Sequence, residues 1–248
     1  MLRARWADLH LHTVLSPCAE VEMIPPLIVR QALALGLDWI AVTDHNSAGN
    51  VRAMVAAAEG TGLAVTPGLE VESREEVHLV CLFDTAEQAE AWGALIAAHL
   101  PPGRNDERFF GAQYLVDAQG EYLRTEERLL LTSTDLTVEE IVQGTAAAGG
   151  VAIPAHVDRP NNSLLANLGF VPQGLDIPGL EISRWATESE FRAAHPDLAS
   201  HGLISSGDAH RLSEMLRRTA IVSRGTAVTE LVRALRDEGG CGVVLRDT

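Results

Sequence analysis

Asp8-Leu9-His10-Leu11-His12-Thr13 governs how the rest of the chain is read. In an extended strand, side chains alternate between faces. Asp8, His10 and His12 then share one side, and Leu9 and Leu11 the other. Two imidazoles two residues apart on one edge can grip a single divalent ion while the leucines are buried behind them. The competing reading is a half-exposed strand that merely carries histidines. Later segments repeat the same design, and that repetition favours the metal.

Working outward, short apolar runs at 39–43, 63–66, 151–154, 180–183 and 203–206 have the character of buried parallel strands. Helical stretches at 25–35, 51–59, 86–100, 138–148 and 228–238 fall between them, and further strands are expected at 77–83, 220–223 and 243–245. Pro25-Pro26 opens the first helix and Gly36 closes it, as their backbone preferences dictate. Strands alternating with helices throughout, with no repeat, low-complexity segment or linker, indicate one α/β domain over residues 1–248. A chain of 248 residues suits a TIM-like barrel, which typically takes roughly 250. Residues 101–128 break the rhythm with charges, Phe109-Phe110 and a hairpin of 114–116 with 122–124. That stretch reads either as an insertion covering a site or as a plain surface hairpin.

The polar residues fall in a pattern. His10 and His12, Asp44 and His45, Glu70, His156, and Asp208 and His210 each sit at or just past the C-terminal end of an expected strand. In a barrel of parallel strands those ends converge on one rim, where sites are assembled from residues distant in sequence. His78 begins its strand instead, so it reaches that rim only if the loop 72–76 folds back. A half-buried structural histidine is the other reading. His99, His195 and His201 lie in helix or loop contexts and are read as surface residues.

Composition narrows the function. A formal charge of −15 opposes bulk binding to a nucleic-acid backbone, though a nucleotide or terminal phosphate remains compatible. Three cysteines, Cys18, Cys81 and Cys241, do not make a disulfide framework. No stretch approaches the ~20 apolar residues that span a bilayer, and the histidine strand follows the start too closely for a signal peptide. A cytoplasmic protein is expected, with its oligomeric state open. No Gly-rich phosphate loop or nucleophile elbow occurs, which removes nucleotide-driven work, hydride transfer and serine chemistry. Histidine with carboxylate and no thiolate cluster suits Zn, Mn or Fe at a catalytic site. Several such ligands could hold two or three divalent ions.

These residues resemble the PHP (polymerase and histidinol phosphatase) family of metal-dependent phosphoesterases. Four motifs match in order: Asp8–Thr13; Thr43-Asp44-His45-Asn46; Pro67-Gly68-Leu69-Glu70 with His78; and Pro154-Ala155-His156 followed by Asp208-Ala209-His210. The resemblance implies a distorted (β/α)7 barrel with a trinuclear site at the C-terminal rim of its strands. It implies that His10, His12, Glu70 and Asp208 hold one ion. Glu70 would bridge to a second on His78 and His156, and His45 and His210 would hold a third. Asp44 is the candidate for orienting a ligand or a proton. Many members carry Ser-Asp-Gly after the first motif, and that aspartate helps to hold the third ion. Here the run is Ser16-Pro17-Cys18. Either Cys18 or Glu20 substitutes, or Cys18 packs a loop and the third site is weak or empty.

Arg159 and Arg184 follow two of the rim segments and are the candidates for binding phosphate, which arginine contacts bidentately. The expected activity is hydrolysis of a small phosphorylated substrate, a nucleotide or metabolite phosphate, by metal-activated hydroxide. Two alternatives stand beside it: a metal-dependent hydrolase of a C–N or carboxylic ester bond, and a barrel kept for binding without turnover.

Overall fold

The computed structural model describes residues 1–246. Its strands are β1 (Arg3–Asp8), β2 (Trp39–Val42), β3 (Ala64–Glu72), β4 (His78–Leu82), β5 (Tyr114–Val116), β6 (Tyr122–Thr125), β7 (Val151–Pro154), β8 (Gly179–Ile182), β9 (Gly202–Ser205), β10 (Thr219–Ser223) and β11 (Gly242–Leu245). Among the described residues one seven-stranded sheet runs β11-β10-β1-β2-β3-β4-β7 and curls into a half-barrel. A parallel pair, β8 and β9, faces its open side. The joins are polar rather than laddered. Val157 donates its N–H to the Glu181 carbonyl beyond β7. On the other side, the Thr219 hydroxyl of β10 accepts from Ser205 N–H and donates to Ser205 C=O, at 3.0 and 2.6 Å. This is the distorted TIM-like barrel that the sequence led us to expect.

Strand direction departs from an all-parallel barrel. β1, β2 and β3 are parallel, but β4 is antiparallel to both β3 and β7, and β10 is antiparallel to β1 and β11. β3 runs on from the 63–66 stretch toward Gly68 and Glu70, as the sequence suggests. It continues to Glu72 because β4 returns beside it, with Ser73 N–H bonded to Val77 C=O across the turn. β1, conversely, stops at Asp8, so His10 and His12 lie just past the strand on extended chain. Three short helices were not anticipated: Glu107–Phe110, Leu164–Asn167 and Glu188–Ala194. Each is started by an N-cap side chain (Asp106, Ser163 or Thr187) rather than by apolar periodicity.

Alternation along the strands separates two cores. Ile40 and Val42 of β2, with Leu79 and Cys81 of β4, join the layer between sheet and outer helices. Trp39 and Ala41, with Val80 and Leu82, point inward. There they meet Val228, Leu231, Ala234 and Leu235 of the helix Val228–Leu235, which plugs the end where β8 and β9 begin. Asp84, just beyond β4, accepts the N–H of Val228 at 2.7 Å and anchors that plug. The apolar filling thus occupies one end of the barrel and leaves the opposite rim to polar side chains. No helix among the described residues is long and apolar enough to cross a membrane.

Residues 101–128 hold the β5–β6 hairpin, which packs inward at Leu115; with Leu15, Leu100 and Leu130 this makes a small separate cluster. Tyr114 N–H bonds Val14 C=O, and the Asn50 side chain bridges Thr13 Oγ1, Tyr114 C=O and Val116 N–H. The hairpin therefore braces the segment that follows His12.

A Cβ on Gly202 would collide with the carbonyl oxygen of Leu235, so the plug depends on glycine at that position. Gly202→Ala should lower the unfolding free energy by about 1–3 kcal/mol or more. Urea denaturation of the two proteins checks this; equal midpoints would mean that the plug is not closely seated.

Candidate metal centre

Backbone bridges first bring the ligand-type residues together. His12 N–H bonds Ala209 C=O at 2.9 Å, pinning the histidine segment against Asp208 and His210. Asn46 N–H bonds Glu70 C=O, and Glu70 N–H bonds Asp44 C=O, fastening the segment after β2 to β3. His78 reaches the rim because β4 is antiparallel, which puts its first residue opposite Glu72 at the end of β3. Asp8 works from behind: its oxygens accept the N–H groups of Gly207 and Leu216 at 2.9 and 2.6 Å and hold the Asp208 loop in place.

Glu70 is the meeting point. Its Oε1 lies 2.8 Å from His78 Nδ1, 3.2 Å from His10 Nε2 and 3.3 Å from His156 Nε2. Its Oε2 lies 2.9 Å from His45 Nδ1 and 3.5 Å from His12 Nε2. The carboxylate is buried, yet neither oxygen accepts a well-formed hydrogen bond, and both ring nitrogens of His156 are also unsatisfied. Asp208 Oδ1 stands 3.1 Å from His12 Nε2 and 3.3 Å from His10 Nε2. Asp208 and His12 bond each other, but the unsatisfied oxygens of Glu70 and nitrogens of His156 leave ligand positions for cations between them. Three groups have ligand atoms all within 4.8 Å: His10, His12, Glu70 and Asp208; His45, Glu70 and His78; and His12, His45 and His210. His45 therefore stands closer to Glu70 and His78 than the resemblance implied, with His156 beside them.

Outer hydrogen bonds fix the ring orientations. Glu181 Oε1 lies 2.9 Å from His10 Nδ1 and also accepts the His156 N–H. Ser16 Oγ lies 2.9 Å from His12 Nδ1 and donates to Asp44 Oδ1 at 2.7 Å. With Nδ1 so engaged, Nε2 is the nitrogen that both histidines turn inward, the arrangement found behind metal-binding histidines. Asp44 is not itself at the reacting centre. Thr13 N–H, Thr13 Oγ1 and Ser16 occupy its oxygens, and it acts on His12 through Ser16. Glu181 and Ser16 were missed in the sequence. The available signal was a carboxylate set inside the apolar strand Leu180-Glu181-Ile182.

The remaining candidates separate by contact. Arg159 reaches Asp208 Oδ2 at 2.6 Å and is one-third exposed. Arg184 is committed to Glu214 at 3.0 Å, one link away from His210 N–H, which bonds the same carboxylate. Glu20 faces Arg211 at 3.3 Å. Cys18 is an exposed residue; desolvation raises its pKa, but the nearby imidazoles of His210 and His45 outweigh that and pull it down to about 6. His99 pairs with Asp135 away from the centre, as a surface residue.

Burial opposes ionisation of Glu70, but His78, His10 and His45 hold it well below the usual carboxylate value. Burial likewise opposes charging the histidines. His10 is nonetheless raised well above its ordinary value by Glu181, Glu70 and Asp208, His45 by Glu70, and His78 to about 9 by Glu70. Burial and the neighbouring His210 and His45 push the pKa of His12 well below its ordinary value.

A half-barrel whose rim gathers buried imidazoles around shared carboxylates defines a metal-binding protein of the TIM-like class. The PHP domain model matches residues 8–159, more than half of the chain, and the chain belongs to the PHP family. Similar folds include the lesion-specific endonuclease EndoQ of Pyrococcus furiosus (TM-score 0.68, 20% identity), covering 97% of this chain and 58% of that one. Endonuclease Q has also been solved with a 27-mer duplex carrying an abasic lesion at its active site (TM-score 0.67, 20% identity, 97% and 58% covered). A protein of Bifidobacterium adolescentis described as a metal-dependent phosphoesterase matches at TM-score 0.56 and 19% identity, over 95% of this chain and 96% of that one. The chain thus spans little more than half of the endonuclease. No curated protein matches it.

Ions entering this centre must displace the protons on His10, His45 and His78. Because these pKa values are raised, that of His78 to about 9, ion occupancy is opposed at low pH and favoured as pH rises. Mn2+ affinity measured by chelator competition should be at least about tenfold tighter at pH 8.5 than at pH 6.5. Equal affinities would show that the histidines are already neutral.

Proposed function

We propose that this chain is a metal-dependent phosphoesterase acting on a small phosphorylated substrate, a nucleotide or metabolite phosphate. The supporting observation is Glu70, a buried carboxylate whose oxygens meet five imidazoles with no hydrogen bond to satisfy them. Bound divalent ions at such a centre acidify water and neutralise the oxygens of a phosphoryl group. His10, His12, Glu70 and Asp208 would hold one ion, with Glu70 shared toward His45, His78 and His156. Glu181 and Ser16 keep Nε2 of His10 and His12 aimed inward, so the rings need not reorient when ions or substrate arrive.

Arg159 supports a phosphoryl rather than a carbonyl substrate. Its guanidinium stands at the edge of the centre, held by Asp208 yet partly open to solvent, where it can fork onto phosphate oxygens. Cleavage of a DNA duplex, which endonuclease Q binds, is the second reading. The formal charge of −15 weighs against it, because a polyanion would approach an acidic surface.

Phosphate release from nucleotides, sugar phosphates and aminoacyl-type phosphates in Mn2+ or Zn2+ tests this reading. At least one substrate should turn over, and Glu70→Ala should reduce its rate by about a hundredfold or more. Arg159→Ala should raise KM about tenfold with kcat less affected, as expected of uniform binding. No release from any member despite bound metal, or full activity in Glu70→Ala, would overturn it.

A further inference from the structure

We propose that Trp185 is a stacking platform for the base of a nucleotide whose phosphate lies at the metal centre, which makes the substrate a nucleoside phosphate rather than a sugar phosphate. This inference rests on the phosphoesterase reading above and narrows it. Trp185 stands just past the end of β8 and is 77% exposed. The loop that carries it is tied to the rim at three points. At its root, Glu181 bonds His10 Nδ1 and the His156 N–H. Ser183 then donates its N–H and its hydroxyl to the two oxygens of Asp158, both at 2.6 Å, beside Arg159. Arg184 bonds Glu214, whose other oxygen accepts the His210 N–H. The exposed ring is therefore carried by the part of the rim that also holds both candidates for binding phosphate.

The loop is held while the ring is left open. Buried Arg218 donates to the carbonyls on both sides of Trp185, to Arg184 C=O at 3.3 Å and to Ala186 C=O at 2.7 Å. Ala186 N–H closes a turn on Ser183 C=O, and Thr187 caps the helix Glu188–Ala194. The Arg184 guanidinium lies 4.9 Å from the indole centroid, a cation–π contact that steadies the ring and leaves most of it exposed. An aromatic side chain on a fixed backbone has little ordering left to do when a planar group settles on it. The neighbouring polar groups favour a base over a sugar. The Ser183 hydroxyl and the oxygens of Asp158 and Glu214 are already engaged within the rim, so they do not read the hydroxyls of a sugar. Stacking on a base needs no such readout, because every base has a π-face.

Trp185 also supplies its own signal. Of the four tryptophans, Trp39 and Trp92 are buried, and Trp6 carries the guanidinium groups of Arg217 and Arg246 against its ring. Quenching by a stacked ligand therefore falls on Trp185. The test titrates the full chain with AMP, UMP and ribose 5-phosphate, follows indole fluorescence, and measures phosphate release from the same compounds in Mn2+. Both nucleotides should quench, ribose 5-phosphate should quench little, and the effect should be lost in Trp185→Phe. Trp185→Ala should raise KM for the nucleotides about tenfold with kcat less affected, narrowing their preference over ribose 5-phosphate, and Trp185→Phe should keep most of that preference. Release from nucleotides without quenching, or an AMP KM unchanged in Trp185→Ala, would overturn the platform and leave the phosphoesterase reading standing. Quenching with no release from any compound would overturn the phosphoesterase reading and leave a rim that binds nucleotides. The absence of both would overturn both.

Discussion

Glu70 buries a negative charge among imidazole nitrogens in a space closed to water, and such a burial persists only where opposite charge surrounds it. The architecture around it reads as the means of meeting that condition. The β3–β4 hairpin brings His78 to one oxygen, the segment after β2 brings His45 to the other, and β1 delivers His10 and His12 between them. Removing any one of these partners leaves a buried carboxylate under-compensated. The centre therefore behaves as one electrostatic unit rather than as a set of independent ligands.

The fold keeps this unit away from its own means of cohesion. Apolar filling by Trp39, Val80, Leu82 and the helix Val228–Leu235 lies at one end of the barrel, and the charged rim lies at the other. Side-chain hydrogen bonds close the ring where β9 meets β10, and the same polar style recurs behind the metal centre in Ser16, Asp44 and Glu181. Packing decides whether the chain folds, and polar geometry decides what the rim can bind.

Much of this was legible in the sequence because two periodicities overlapped. Short apolar runs marked buried strands, and polar residues just past them marked the rim, so His10, His12, His45, Glu70, His156, Asp208 and His210 could be gathered before any coordinates. What stayed hidden was strand direction. Nothing local in 77–83 distinguishes a strand that runs back from one that runs on, so the route of His78 to the rim rested on resemblance alone. Glu181 was overlooked for a related reason. A carboxylate in an apolar strand shows its purpose only when the strand beside it is known, here the one that ends in His156.

Two residues at the centre stand in a backbone region that favours glycine: His156 at φ +32° and Asp208 at φ +44°. Glycine at either position would relax the chain and delete a donor. Strain of this kind costs of order 1–3 kcal/mol per residue, and the rest of the fold must carry it. Selection for a more stable protein and selection for a complete rim therefore pull these two positions in opposite directions. Variants that gain stability by losing His156 or Asp208 are the ones to expect wherever the barrel is retained after its chemistry is no longer needed.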